Sequence, residues 1–204
     1  MVDGLARHAV TVYQTLGEYI DEYFILNEPW CSSFLSYHLG IHAPGEHDLG
    51  AALSAAHNLM LAQGAAFEAL KSLDRQLKVS TVLNLAPCYA STPDERDTQA
   101  VRFADVYFNR WFLDPLFHGR YPVEERELFG SVMPSYGRAD TLLMQVGPRL
   151  HALGVNYYRG ETVTADDTRD IRFASIRKPN EQTSDLDWPI YVPPVYPEGL
   201  YDLL

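Results

Sequence analysis

The sequence predicts an α/β fold, a partial (β/α)8 TIM barrel with parallel strands and flanking helices, over a single domain of residues 1–204. Three observations lead there. Short apolar runs near 22–27, 78–85 and 152–157 end abruptly in polar residues, the pattern of strands buried on both faces. Helical patterns separate them, and that alternation implies right-handed βαβ units with a parallel sheet. At 204 residues the chain can bury one sizeable core, but it is short of the roughly 250 typical of a complete barrel. The three strands are therefore expected side by side in sequence order, with their polar ends on one rim.

Taken in order, residues 4–19 place Leu5, Val12, Leu16 and Tyr19 at helical spacings, with Gly17 interrupting near the end. An amphipathic helix thus leads into the first strand. Residues 31–47 mix Ser, Gly, His and Pro without a period and are expected as a loop. Asp48 then offers an N-cap for a long Ala/Leu-rich helix to about Leu73. Val79 to Leu85, short and β-branched, ends at Ala86-Pro87 and reads as the second strand. Thr92-Pro93-Asp94-Glu95 supplies a cap, a first-turn proline and two acids for a helix reaching about Trp111. Two short helical patterns follow near 123–129 and 138–147, and Ala152 to Tyr158 reads as the third strand. Residues 159–194 are polar and proline-rich, a long irregular loop with room for a hairpin at the alternating pieces Ile171-Arg172-Phe173 and Ile190-Tyr191-Val192. Pro197 to Leu204 begins another helix.

Composition narrows the partners. With 47% hydrophobic and 21% charged residues the chain is globular, and no run nears the 18 or so apolar residues of a membrane helix. A net charge of -11 disfavours nucleic acid, which needs clustered Lys and Arg, while neutral sugars are compatible with it. Cys31 and Cys88 fit a reducing compartment better than a disulfide framework, and the N-terminus has no signal-peptide core, so a cytoplasmic location is expected. His38, His42 and His47 lack an accompanying carboxylate or cysteine pattern and read as loop histidines, so no metal and no cofactor is expected. His57, on a small-residue helix face, is expected buried and hydrogen-bonded.

The chemistry centres on Phe24-Ile25-Leu26-Asn27-Glu28-Pro29-Trp30. An apolar run ending in an amide, a carboxylic acid and a proline reads as a strand delivering polar groups to its C-terminal end, the active face of a parallel barrel. A carboxyl there, shielded by an aromatic such as Trp30, suits a general acid. This stretch, with Cys31-Ser32-Ser33-Phe34 and His42-Ala43-Pro44-Gly45 after it, resembles the glycoside hydrolase family 1 β-glucosidases. So do Asn84-Leu85, the block from Asn109 to Pro122, Gly154-Val155-Asn156-Tyr157-Tyr158, and the closing Trp188 and Tyr196 to Tyr201. These blocks occur in the family's order.

The resemblance implies a retaining β-glucosidase that hydrolyses terminal β-D-glucosides, or β-D-galactosides, by double displacement. Glu28 matches the acid/base and Asn27 the residue that binds the sugar 2-hydroxyl. Asn156 and Tyr158 match substrate-side positions at the sixth strand end, the tyrosine being the one that hydrogen-bonds the nucleophile. Trp30 is either core or a stacking platform for a sugar or aglycone, and is placed among the substrate-binding residues. Tyr157 alternates to the other side of its strand and packs. Gln63 stands where many relatives have His, a change in helix packing. Cys31 and Cys88 each follow a strand end and are expected as neighbours on the rim. The chain aligns with barrel strands four to six and reads as truncated at both ends. The family's sugar-binding Gln and His-Trp pair would precede Met1, and its Thr-Glu-Asn-Gly nucleophile would follow Leu204. Retention needs two carboxyls about 5 to 5.5 Å apart. The chain by itself is accordingly expected to be inactive, as a fragment or a split-barrel sugar-binding partner, and to self-associate through open strand edges.

Overall fold

The computed structural model describes residues 2–176 and 197–203, so Trp188, Tyr196 and the piece Ile190-Tyr191-Val192 lie outside the described residues. Helix α1 (Val2–Leu16) ends in a tight turn at Gly17–Tyr19 and hands the chain to β1 (Glu22–Asn27). Helix α2 (Leu49–Leu73) starts where the Asp48 carboxylate accepts from the Ala51 N–H at 2.9 Å, the cap the sequence predicts. Strands β2 (Lys78–Asn84) and β3 (Cys88–Ala90) precede α3 (Glu95–Asp105) and α4 (Trp111–His118). After α5 (Glu125–Phe129) and α6 (Arg138–Met144) come β4 (Leu153–Asn156), β5 (Glu161–Ala165), β6 (Phe173–Ser175) and α7 (Glu198–Leu203).

Strands β1, β2 and β4 form one parallel sheet in that order, Tyr23 lying opposite Val79 and Thr81 opposite Leu153. The three predicted strands are thus present, parallel and adjacent, with helices against them. The sheet does not close into a barrel among the described residues. Val79 and Leu83 are buried, as are Ala52, Ala56, Met60 and Phe67 of α2. Alanines on that helix permit close approach, and at Gly64 an added Cβ would fall 2.1 Å from the Leu143 carbonyl oxygen. On the other face Phe24 of β1 is 53% exposed. His57 is buried with its Nδ1 2.9 Å from the Tyr121 hydroxyl, as expected, and buried Gln63 accepts from Thr81 Oγ1 at 2.7 Å. Among the described residues no helix is long and apolar enough to cross a membrane.

Three expectations need correction. Residues 31–47 are not all loop, because Cys31–His38 form a wide π-type helix. Its serines stand in for backbone partners, Ser33 Oγ donating to the Pro29 carbonyl at 2.6 Å and Ser36 Oγ to that of Cys31 at 3.3 Å. Such a turn buries Ser33, Phe34 and Ser36, which no stripe of period 3.6 would reveal. Second, the helix opening near Thr92 is capped by Asp94, which accepts from the Arg96 N–H at 2.8 Å, and it does not stop near Trp111. It passes through a wide turn at Val106–Arg110 into α4 and ends at Gly119, φ 61°, with Trp111, Phe112 and Leu116 buried. The apolar burial outweighs the break signalled by Pro115. Third, residues 159–176 hold more than a loop. An antiparallel pair forms between β6 and β5, the latter upstream of the pieces expected to make a hairpin, and β5 also pairs in parallel with β3. Asp97 of α3 fastens this second sheet by accepting from Ser91 Oγ, Thr92 Oγ1, Thr164 Oγ1 and the Ala165 N–H at 2.7, 2.7, 2.9 and 2.8 Å.

Candidate active site

The C-terminal end of the parallel sheet collects an amide from each strand: Asn27 on β1, Asn84 on β2 and Asn156 on β4, the last two directly opposite in register. A register shift between Phe24 and Asn27 puts an extra residue on β1, so Asn27 shares the side of the sheet that Phe24 faces. Bulges of this kind re-aim a side chain beside functional sites. The next residue, Glu28, has φ 49°, a left-handed conformation rare for a side chain of its size. Its N–H still donates to the Val82 carbonyl at 3.0 Å, which ties the turn to the sheet.

The turn presents the Glu28 carboxyl to three side chains. Asn156 Nδ2 donates to Oε1 at 2.7 Å and Tyr158 OH to the same oxygen at 3.1 Å. Cys31 Sγ donates to Oε2 at 3.3 Å. Asn156 Nδ2 also donates to Asn27 Oδ1 at 3.1 Å, so Asn27, Glu28, Cys31, Asn156 and Tyr158 make one hydrogen-bonded group of five residues. Burial, then the Glu28 hydrogen bond and charge, push the Tyr158 hydroxyl above its usual value. It therefore stays a donor at neutral pH. A carboxyl oriented by neutral donors, with no cation paired to it among the described residues, is suited to general acid/base chemistry.

Of the predicted residues, Asn27, Glu28, Asn156 and Tyr158 come together on one rim. Trp30 sits one layer back, packed at ring-centroid distances of 5.3 Å from Phe108, 5.9 Å from Tyr107 and 6.3 Å from Phe34. His38, in the wide helix, has Nδ1 2.9 Å from the Tyr107 hydroxyl and Nε2 3.3 Å from Asp170, a hydrogen-bonded placement. Asn109 fixes the segment beyond β2, its Oδ1 accepting from the Ala86 N–H at 2.9 Å and its Nδ2 donating to the Ala86 carbonyl at 2.8 Å. The sequence puts Cys31 on the rim but gives neither it nor Asn84 a part in the site. Asn84 carried the same apolar-to-amide switch as Asn27 and Asn156, and Cys31 lies three residues after Glu28, the spacing of one helical turn. Cys31 and Cys88 are both free thiols.

A parallel sheet with helices against it and a carboxyl held among amides and a phenol at its C-terminal rim is the arrangement of part of a β/α barrel. The model of glycosyl hydrolase family 1 matches residues 1–204, and the chain belongs to that family. It is 35% identical over 201 residues to a β-glucosidase of Agrobacterium sp., a match covering 96% of this chain and 43% of that protein. A bifunctional β-D-glucosidase/β-D-fucosidase of Bifidobacterium breve is 34% identical, with 98% and 44% covered. Among solved structures, the virulence factor SghA of Agrobacterium tumefaciens superposes with a TM-score of 0.87 at 33% identity, over 99% of this chain and 44% of that one. A family 1 β-glucosidase of Thermotoga maritima, in complex with isofagomine lactam, does so at 0.85 and 26%, over 98% and 43%. The chain therefore spans under half the length of the relatives it matches.

Proposed function

We propose that this chain supplies the acid/base half of a retaining β-glucosidase acting on terminal β-D-glucosides, including oligosaccharides, with β-D-galactosides as an alternative class. The observation that carries this is Glu28 at the C-terminal rim, in a left-handed turn, with Asn156 and Tyr158 donating to one oxygen. Glu28 protonates the departing glycosidic oxygen and then, as carboxylate, takes a proton from the water that releases the sugar. Asn27 binds the 2-hydroxyl, Asn156 orients Glu28 and Asn27 together, and Tyr158 turns between Glu28 and a nucleophile on a further strand. Trp30 backs the site and offers an aromatic edge to sugar or aglycone. The two free thiols and the acidic balance accord with a cytoplasmic location and with no nucleic-acid partner.

Residues 1–204 contain no Thr-Glu-Asn-Gly element, the one expected to carry the second carboxyl that retention requires, so the chain alone should not turn over. Phe24 of β1, 53% exposed, and the edges of β1 and β4, unpaired among the described residues, support a second reading, that the isolated chain self-associates or binds sugar as one half of a split barrel. The test replaces the matched segment of the Agrobacterium β-glucosidase with this chain. The chimera should hydrolyse 4-nitrophenyl β-glucoside and the 204-residue chain should not. A folded, inactive chimera would refute the first reading, and hydrolysis by the chain alone would refute its dependence on a second carboxyl.

A further inference from the structure

The two oxygens of Glu28 are not equivalent. Oε1 receives both the Asn156 amide and the Tyr158 hydroxyl, at 2.7 and 3.1 Å, which occupies its two in-plane lone pairs. Among the described residues Oε2 receives one donor, the Cys31 thiol at 3.3 Å. A proton added to the carboxyl meets two donors on Oε1 and one weak donor on Oε2, so Oε2 is where it goes. A thiol suits that place. It is a weak donor toward the carboxylate and a weak acceptor toward the carboxylic acid, so it can stay with Oε2 in both protonation states without locking either. The backbone is shaped for this contact. The left-handed φ of 49° at Glu28 turns the chain so that the Cys31 N–H donates to the Glu28 carbonyl at 3.0 Å, which swings the residue three positions on back over its carboxyl. Backbone strain of this sort persists where surrounding structure demands it and clusters at functional sites.

We infer that Cys31 is a positioning residue for the Glu28 acid/base, its thiol holding Oε2 as the oxygen that carries the transferable proton; this rests on the glycosidase reading above. In the first step the Oε2–H proton passes to the glycosidic oxygen as the bond from that oxygen to the anomeric carbon breaks. In the second, Oε2 takes a proton from water as the water oxygen bonds to that carbon and the glycosyl-enzyme bond breaks. The thiol keeps its own proton throughout. Burial, then the Glu28 hydrogen bond and charge, push it up to about 12, so it remains S–H across the working range.

The first test needs no activity. Alkylation of Cys31 by iodoacetamide follows its thiolate fraction, and removing the Glu28 charge should raise that fraction. In the 204-residue chain, E28Q should speed Cys31 alkylation at about pH 9 by roughly tenfold while leaving Cys88 unchanged. Equal rates at Cys31 in the two proteins, or a matching change at Cys88, would overturn the contact. The second test uses the chimera. Cys31→Ser, a stronger donor that favours the carboxylate, should move the alkaline limb of kcat/KM to lower pH. Cys31→Ala, which removes the donor, should move it to higher pH. A merely structural role would lower activity without opposite displacements. If both variants leave the limb in place or move it the same way, Cys31 does not position the acid/base. A chimera that hydrolyses nothing fails the glycosidase reading, and the role of Cys31 falls with it. The alkylation result separates that failure from the absence of the contact.

Discussion

Gly64 sets two effects of opposite sign against each other. It lies mid-helix in α2, where glycine is less favourable than alanine by about 0.8 to 1.0 kcal/mol, so on propensity alone Gly64→Ala should stabilise. Packing says otherwise. The new Cβ would lie 2.1 Å from the Leu143 carbonyl oxygen, 2.8 Å from its carbonyl carbon and 3.1 Å from its Cγ. An ordinary C···O approach is about 3.3 Å, so α6 must retreat by about 1.2 Å, and overpacking of this kind costs about 1 to 3 kcal/mol. The retreat also strains the seats of Met144 and Val146, both 0% exposed. The net effect should be destabilisation by about 1 to 2 kcal/mol, at about 2 to 4 °C per kcal/mol in Tm for a chain of this size. Gly4 is the control. It sits in α1 with nothing within 4 Å of an added Cβ, so Gly4→Ala should stabilise by about 0.5 to 1 kcal/mol. Both are read from urea midpoints by far-UV circular dichroism at one fixed protein concentration. If Gly64→Ala is as stable as wild type or more so, while Gly4→Ala behaves as expected, the close seating of α6 on α2 is wrong.

Other outcomes follow from the same contacts. Asn109→Ala strips the Ala86 N–H and carbonyl of their partners and the Asp105 carboxylate of a donor, which should cost about 2 to 3 kcal/mol; a urea midpoint within about 0.5 kcal/mol of wild type would deny that clasp. The Asp97 carboxyl is held well below its usual range, first by the Ala165 N–H and then by the three hydroxyls. A lowered folded value means that its contribution is full above about pH 4 and drains as pH falls from there. Wild type should therefore lose stability steeply below about pH 4, with Asp97→Asn less stable at neutral pH and flatter in acid; parallel pH curves would reject this. Sedimentation of the isolated chain should show association that Phe24→Ser weakens, and a monomer at all concentrations would contradict self-association.

The fold was legible where strands are buried on both sides and helices carry a cap. Val79 to Asn84 is such a strand, and Asp48 such a cap. Elements without either signal were not. The wide helix at Cys31–His38 buries serines through their own hydroxyl bonds, so its inward face is polar in the sequence. Strands β3 and β5 pair across more than 70 positions of sequence and are held by Asp97, a partner that local periodicity cannot show. At the candidate site, Asn27, Glu28, Asn156 and Tyr158 were legible because each follows an apolar run at a strand end. The contact of Cys31 with Glu28 was not legible, since it depends on the left-handed turn at Glu28, nor was the place of Asn84 opposite Asn156, which depends on strand register. Trp30 could be read either as core or as platform, and its three aromatic neighbours come from the wide helix and from α3's extension, segments whose course was misread.

The assignment of Glu28 as acid/base has its most direct test in Glu28→Ala, made in the chimera and assayed with two substrates. A dinitrophenyl glucoside has a leaving group that departs without protonation, so the variant should form the glycosyl-enzyme quickly and then stall. Cellobiose, whose leaving group is a sugar alkoxide, should scarcely react at all. Azide needs no general base and should restore turnover of the activated substrate, yielding β-glucosyl azide. Equal loss on both substrates with no rescue by azide would show that Glu28 is not the acid/base.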